Sequence, residues 1–209
     1  MPDHSHLDAV LPGFSEAREI IKEAKDSLFP LGYKGSKFDF YRFSNRYRMV
    51  VRFQGISLEG FKEETEAGYA ALTRVFLCWS VFERYSELTG DPSPYKQLLS
   101  LVPRISFAEL ADHIERHDPE KLLFDFLHEQ SLEQNRHFLD RYRNGDRRGV
   151  IFYAAAIRHI YVHGHLTAHP NRCDAANVQS ICHQLSDFIL TLIRDDFTRR
   201  LAVAKGSDQ

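Results

Sequence analysis

The feature that most limits what this chain can fold into is the apolar stripe near its C-terminus: Val178, Ile181, Cys182, Leu185, Phe188, Ile189, Leu192, Ile193 and Phe197. Spacings of three and four over this distance keep one face of a helix in register for more than five turns, and a strand would scatter the same residues over both faces. Asp174 stands where an N-cap belongs. A second segment, 60–89, repeats the rhythm with Tyr69, Leu72, Val75, Phe76, Trp79, Phe82, Tyr85 and Leu88, and Gly90 supplies its stop. Its middle is apolar nearly all round, as in a central bundle helix. Gly68 weakens it slightly, since an interior glycine costs about 1 kcal/mol relative to alanine.

Shorter helices are expected between and before these two. Residues 15–28 form one, with Ser15 as N-cap, closed by Pro30 and Gly32. After a loop at 91–94, residues 95–102 predict a helical turn. Ser106 and Glu109 have capping-box spacing and open a helix to about Arg116. Asp118-Pro119 reads as an N-cap with proline at the first helical position, ahead of Leu122, Leu123, Phe126 and Leu127. Ser131 and Gln134 repeat the capping box before a helix to Tyr142, closed by Asn144-Gly145. His113, His117 and His128 on these helices read as surface histidines.

Residues 33–56 differ in kind. Tyr33, Phe38, Phe40, Tyr41, Phe43, Tyr47 and Phe53 interleave with Lys34, Lys37, Arg42, Arg46, Arg48 and Arg52, and only Asp39 opposes them. The Phe38/Phe40 alternation permits short strands, while Tyr47, Val50 and Val51 permit a helix, so the segment is left irregular or short-stranded. Cations beside aromatics suit single-stranded nucleic acid, with the cations tracking phosphates and the rings stacking on bases. The same pattern also suits a segment packed on the helical body, its basic groups solvated or paired with Glu59, Glu63, Glu64 and Glu66.

A chain of 209 residues, 43% apolar and 27% charged, can bury a sizeable core. Its formal charge of −2 advertises no nucleic-acid partner globally, so that reading must rest on local patches. Cys78, Cys173 and Cys182 form no CxxC pair and read as reduced thiols. No run reaches the length of a membrane span and the N-terminus lacks signal-peptide character, which leads to a cytoplasmic assignment with no membrane partner.

Most of the chemistry lies in 149–170. Ala154-Ala155-Ala156 allows close approach of another backbone, either a bundle neighbour or a second subunit. Arg158, His159 and His163 then precede Gly164, a natural C′ residue, and His165 and His169 follow. Arg158 and His163 lie about 140° apart on an ideal helix. They converge if the helix ends at Gly164, or if one of them comes from a symmetry mate. Together they offer a planar phosphate clamp and a proton carrier. Arg136, Arg141, Arg143, Arg147 and Arg148 lead into the stretch against only Asp140 and Asp146, a candidate RNA-binding patch. His159 and His163 also have the spacing of metal ligands on a helix. With no acidic or thiolate ligand before Cys173 and Asp174, no metal site is assigned.

An Arg followed by a polar residue and a His after four intervening positions, on the penultimate helix of an all-helical chain, resembles the HEPN superfamily (higher eukaryotes and prokaryotes nucleotide-binding). The motif here reads Arg158-His159-Ile160-Tyr161-Val162-His163. The resemblance covers about 60–204, leaving 1–59 as an N-terminal helix plus basic aromatic segment and 205–209 as a disordered tail. It implies an all-α, HEPN-like helical bundle, a homodimer, an inhibitory partner protein, no cofactor and metal-independent endoribonuclease activity. Arg158 would hold the scissile phosphate, His163 would act as general base or acid for 2′-OH attack, and His159 would fill the polar slot. His165, at six intervening residues, fits the same spacing rule. The alternative function is a non-catalytic helical module that binds a partner protein or a nucleotide through the same cleft.

Overall fold

The structure is a computed structural model and describes residues 5–90, 101, 104–170 and 173–206. The described residues are all-helical, with no strand among them. In chain order the helices are α1 (Ser5–Asp8), α2 (Phe14–Glu23), α3 (Lys37–Val51), α4 (Glu63–Thr89), α5 (Arg104–His117), α6 (Leu122–Gln130), α7 (Glu133–Arg143), α8 (Phe152–Val162) and α9 (Ala175–Ala204), with 3-10 turns at Phe29–Leu31 and Arg147–Ile151. The loop expected at 91–94 and, apart from residue 101, the helical turn expected at 95–102 fall outside the described residues. So do residues 207–209 of the expected tail. No helix among the described residues is long and apolar enough to cross a membrane.

The chain divides into two compact units. One comprises 1–53, 80–101 and 189–209, and the other 54–79 and 102–188. The two long helices, α4 and α9, each supply a segment to both.

In the first unit, the segment expected to be irregular or short-stranded is helix α3. Ser36 caps it: the Ser36 hydroxyl accepts from the Asp39 amide, and the Asp39 side chain accepts from the Ser36 amide. Phe40, Phe43, Tyr47 and Val50, at spacings of three and four, are buried. The Phe38/Phe40 alternation therefore marks the exposed and buried sides of a helix; Phe38 is 62% exposed and Phe40 fully buried. The Phe40 ring stacks on Phe14 with centroids 5.6 Å apart, and Tyr47 donates from its hydroxyl to the Leu190 carbonyl at 3.0 Å. Helix α2 is shorter than expected. It ends at Glu23, with Lys25 and Asp26 at φ 52° and 70°. Its N-cap is Gly13; Ser15 lies inside the first turn, where its amide and hydroxyl both bond Asp8.

A buried polar chain crosses the same unit. The Tyr33 and Tyr85 hydroxyls are 3.2 Å apart, Tyr85 donates to Asp196 at 2.6 Å, and Arg200 donates to Asp196 at 2.7 Å and to the Gly32 carbonyl at 2.8 Å. Burial pushes the Asp196 carboxyl up, but hydrogen bonds from Arg200 and Tyr85 together with the Arg200 charge outweigh it and hold the group below the usual carboxylate range. Burial raises both tyrosines, so neither ionises near neutrality.

In the second unit, α8 packs against α6 and α7. Its residues 152–157 and Ile160 are buried, and Phe152 stacks on Phe138 at 3.9 Å. The 3-10 turn before it lies tightly on α7: a Cβ added at Gly149 would sit 2.7 Å from the Phe138 carbonyl oxygen and the Tyr142 amide nitrogen. Gly68, a cost when α4 is judged alone, has a packing reason, since its missing Cβ would lie 2.7 Å from that of Ala168. Asp118 caps α6 from farther away than expected. The helix opens after Lys121 (φ 58°), and Asp118 accepts from the amides of Leu123 and Phe124 at 3.1 and 2.9 Å. Helix α5 opens at Arg104, ahead of Ser106, and α7 opens after Leu132, with Ser131 extended. Asp174 does cap α9, accepting from the Asn177 amide at 2.9 Å.

Candidate active site

Helix α8 ends in a Schellman motif. The Gly164 amide donates to the Tyr161 carbonyl at 3.0 Å and the His165 amide to the Ile160 carbonyl at 3.1 Å, with Gly164 at φ 75°. Buried Ile157 and Ile160 hold the last turn against the core, and the Tyr161 hydroxyl meets Thr73 Oγ1 at 2.8 Å. His159 and His163 lie one turn apart at this helix end, with Arg158 before them and His165 just past the glycine. His159 is half-buried and its ring lies 4.6 Å from that of exposed His163, edge to face. Burial, followed by the charges of His163, Arg158 and His165, holds His159 below the ordinary imidazole value. Arg158 is half-buried beside it, and His165 is exposed just past the glycine. His169 is exposed in the following loop. Among the described residues, no group of three or more His, Cys, Asp or Glu side chains is arranged to hold a metal ion.

The five arginines leading into this stretch are not gathered around it as open phosphate contacts. Arg136 caps the end of α6, donating to the Ser131 carbonyl at 2.7 Å and the Glu129 carbonyl at 3.3 Å. Arg141 and Arg148 share Asp146, at 2.5 and 2.8 Å. The hydrogen bond from Arg148, followed by that from Arg141, drives the Asp146 carboxyl far below the usual range against a modest burial cost. Arg143 reaches Asp125 at 3.2 Å while lying over the Phe124 ring, and Arg147 bridges Asp112 at 2.5 Å and Glu115 at 3.3 Å. Counting nearby acids in the sequence missed Asp112, Glu115 and Asp125, which are 18 to 35 positions away from their partners.

A second polar cluster was not legible in the sequence. His113 and His117, expected at the surface, are half-buried with rings 4.6 Å apart. Ser180 Oγ lies 3.1 Å from His113 Nε2 and 3.2 Å from His117 Nε2, and His117 Nδ1 lies 3.0 Å from Asn177 Oδ1. Their spacings, i and i+4 on α5 and i and i+3 on α9, are visible in the chain; that these two faces meet is not. Beside the cluster is a cavity of about 230 Å³ whose lining includes His117, Asp118, Leu123, Cys173, Asn177 and Ile181. His128 is likewise half-buried, 2.9 Å from Asp140. The three cysteines are free and buried, and desolvation raises the Cys173 thiol to about 11 and those of Cys78 and Cys182 to about 12. None is poised as a nucleophile.

No known family model, curated protein or solved structure matches the chain.

Proposed function

We propose that the protein is a HEPN-like, metal-independent endoribonuclease whose reacting groups stand at the C-terminal end of α8. The observation that carries this reading is the contact of the His159 and His163 rings, 4.6 Å apart at the C-terminal end of α8, with half-buried Arg158 preceding them and exposed His165 following in the chain. A guanidinium beside two imidazoles supplies what RNA transesterification needs. Arg158 neutralises the non-bridging oxygens of the scissile phosphate. His159, kept neutral near pH 7, takes the 2′-OH proton as the O2′–P bond forms. His163 returns a proton to the 5′-oxygen as the P–O5′ bond breaks, leaving a 2′,3′-cyclic phosphate and a free 5′-hydroxyl. His165, which fits the same spacing rule, is the alternative for the His163 role. A cytoplasmic homodimer, with exposed Val162 at the subunit contact, and an inhibitory partner protein complete the reading.

The test is cleavage of structured and unstructured RNA in EDTA. Wild-type protein cuts and yields cyclic phosphate ends. Arg158→Ala and His163→Ala each lose at least about a hundredfold in rate, the lower bound for an electrostatic stabiliser of the transition state and for an acid–base group respectively. Both variants cutting at the wild-type rate would overturn the assignment, while loss only in His165→Ala would move the acid by two residues. A second reading, the non-catalytic partner-binding module, is favoured by the pairing of Arg136, Arg141, Arg143, Arg147 and Arg148 with protein groups. Absence of cleavage by wild-type protein, together with a co-purifying protein, would establish it.

A further inference from the structure

Helix α3 turns one face into the core of its unit and leaves the other to solvent. Along the outer face Phe38, Arg42, Asn45, Met49 and Arg52 follow one another at spacings of four and three, with Arg46 beside them, and all six are exposed. At 1.5 Å per residue the row runs about 21 Å. The one carboxylate on the helix, Asp39, is occupied: its Oδ2 accepts from the Ser36 amide at 3.0 Å and hydroxyl at 2.7 Å, and it reaches Arg42 only at 3.4 Å. Among the described residues no ion pair engages Arg46. Arg143 and Arg147, by comparison, face carboxylates of neighbouring helices, Asp125 on α6 and Asp112 and Glu115 on α5.

We infer that the outer face of α3 is a binding surface for single-stranded RNA, with Arg42, Arg46 and Arg52 contacting successive phosphates and Phe38 stacking on a base. The inference rests on RNA as the partner of the chain but not on the chemistry assigned to α8. Charge complementarity carries it. A chain of net charge −2 attracts a polyanion only where cations locally outnumber acids, and α3 supplies such a row with a 62%-exposed ring at its end. A membrane surface fits less well. An interfacial helix needs its continuous apolar face free, and in α3 that face, Phe40, Phe43, Tyr47 and Val50, is buried in the protein. Phe38 and Met49 alone stand about 16 Å apart on the outer side.

The experiment is fluorescence anisotropy of a labelled oligouridylate, 2′-O-methylated so that it has no 2′-OH to react, with the 209-residue chain in EDTA, between about 50 and 200 mM salt. Wild-type protein binds, and its affinity falls steeply with salt. The triple variant Arg42→Gln/Arg46→Gln/Arg52→Gln, altered only at exposed positions, retains its helical circular dichroism. It binds at least tenfold more weakly at the lowest salt. Its log–log salt slope is smaller by about 2, because each of the three phosphates it no longer neutralises accounts for roughly 0.7 of the slope. Phe38→Ala weakens binding about fivefold or more and leaves the slope unchanged, since stacking releases no counterions. Wild-type affinity and slope in the triple variant would overturn the inference, as would binding to phosphatidylserine vesicles or to an acidic protein with none to oligouridylate. Cleavage abolished in Arg158→Ala with oligouridylate binding intact separates failure at α8 from failure at α3.

Discussion

Replacing Gly149 with alanine adds one methyl group to the turn that launches α8, and the surroundings leave no room for it. Gly149 is buried, and its amide donates to the Asp146 carbonyl at 2.8 Å. The new Cβ would lie 2.7 Å from Phe138 O and Tyr142 N and 2.8 Å from Tyr142 Cβ, against 3.4–4 Å for ordinary contact. Two of the three obstacles are backbone atoms of α7, so no rotamer change relieves the clash. The turn and α7 must separate by about 0.7 Å. That movement opens the Phe138–Phe152 stack at 3.9 Å and the Tyr142–Tyr153 edge contact at 5.8 Å. Overpacking of this kind costs about 1–3 kcal/mol, and backbone obstruction places it near the top of the range. The lower entropy of the unfolded alanine chain returns up to about 1 kcal/mol. The net loss is about 2 kcal/mol, or about 4–8 °C in Tm for a chain of this size. Thermal and urea denaturation followed by circular dichroism measure it. Stability within about 0.5 kcal/mol of wild type, or a rise in Tm, would refute the claim that close backbone approach requires glycine here.

Removing the acid of the buried chain in the first unit, Asp196→Ala, leaves Arg200 without its carboxylate and costs about 3 kcal/mol in urea denaturation, while Tyr85→Phe, which removes one hydrogen bond to a charged group, costs about 2 kcal/mol. Equal and negligible losses would show that the network is not stabilising. The folded pKa of Asp196 lies below its unfolded value, so its contribution is fully present above about pH 4 and fades as pH falls through the folded value. Asp196→Asn therefore lowers stability at pH 7 more than at pH 3, and an equal loss at both values would contradict the shift. The three thiols should resist a disulfide exchange reagent at pH 8 in native protein and all react on unfolding, and rapid native labelling of Cys78 or Cys182 would contradict their burial.

What the chain determines by itself is whatever rests on short-range periodicity and end chemistry. The stripe from Val178 to Phe197 and the rhythm from Tyr69 to Leu88 become α9 and α4, Asp174 caps where a local donor lies three residues on, and Gly164 closes α8 because the αL turn suits glycine. The His159–His163 ring contact is the i and i+4 spacing of one helix and is legible in the chain. Tertiary structure decided the rest. Around Phe38 and Phe40 two periods competed; the Ser36–Asp39 capping box is local end chemistry that the sequence reading passed over, and the core that accepted Phe40, Phe43, Tyr47 and Val50 on one side decided which face is buried. For Arg143 and Arg147 sequence proximity was the only measure of who could neutralise them. Ionic attraction depends on distance in space, and Asp112, Glu115 and Asp125 reach them only once α5, α6 and α7 have packed. The His113–Ser180–His117 cluster has the same origin: a hydrogen bond needs two faces brought within about 3 Å, and no local pattern states which faces meet.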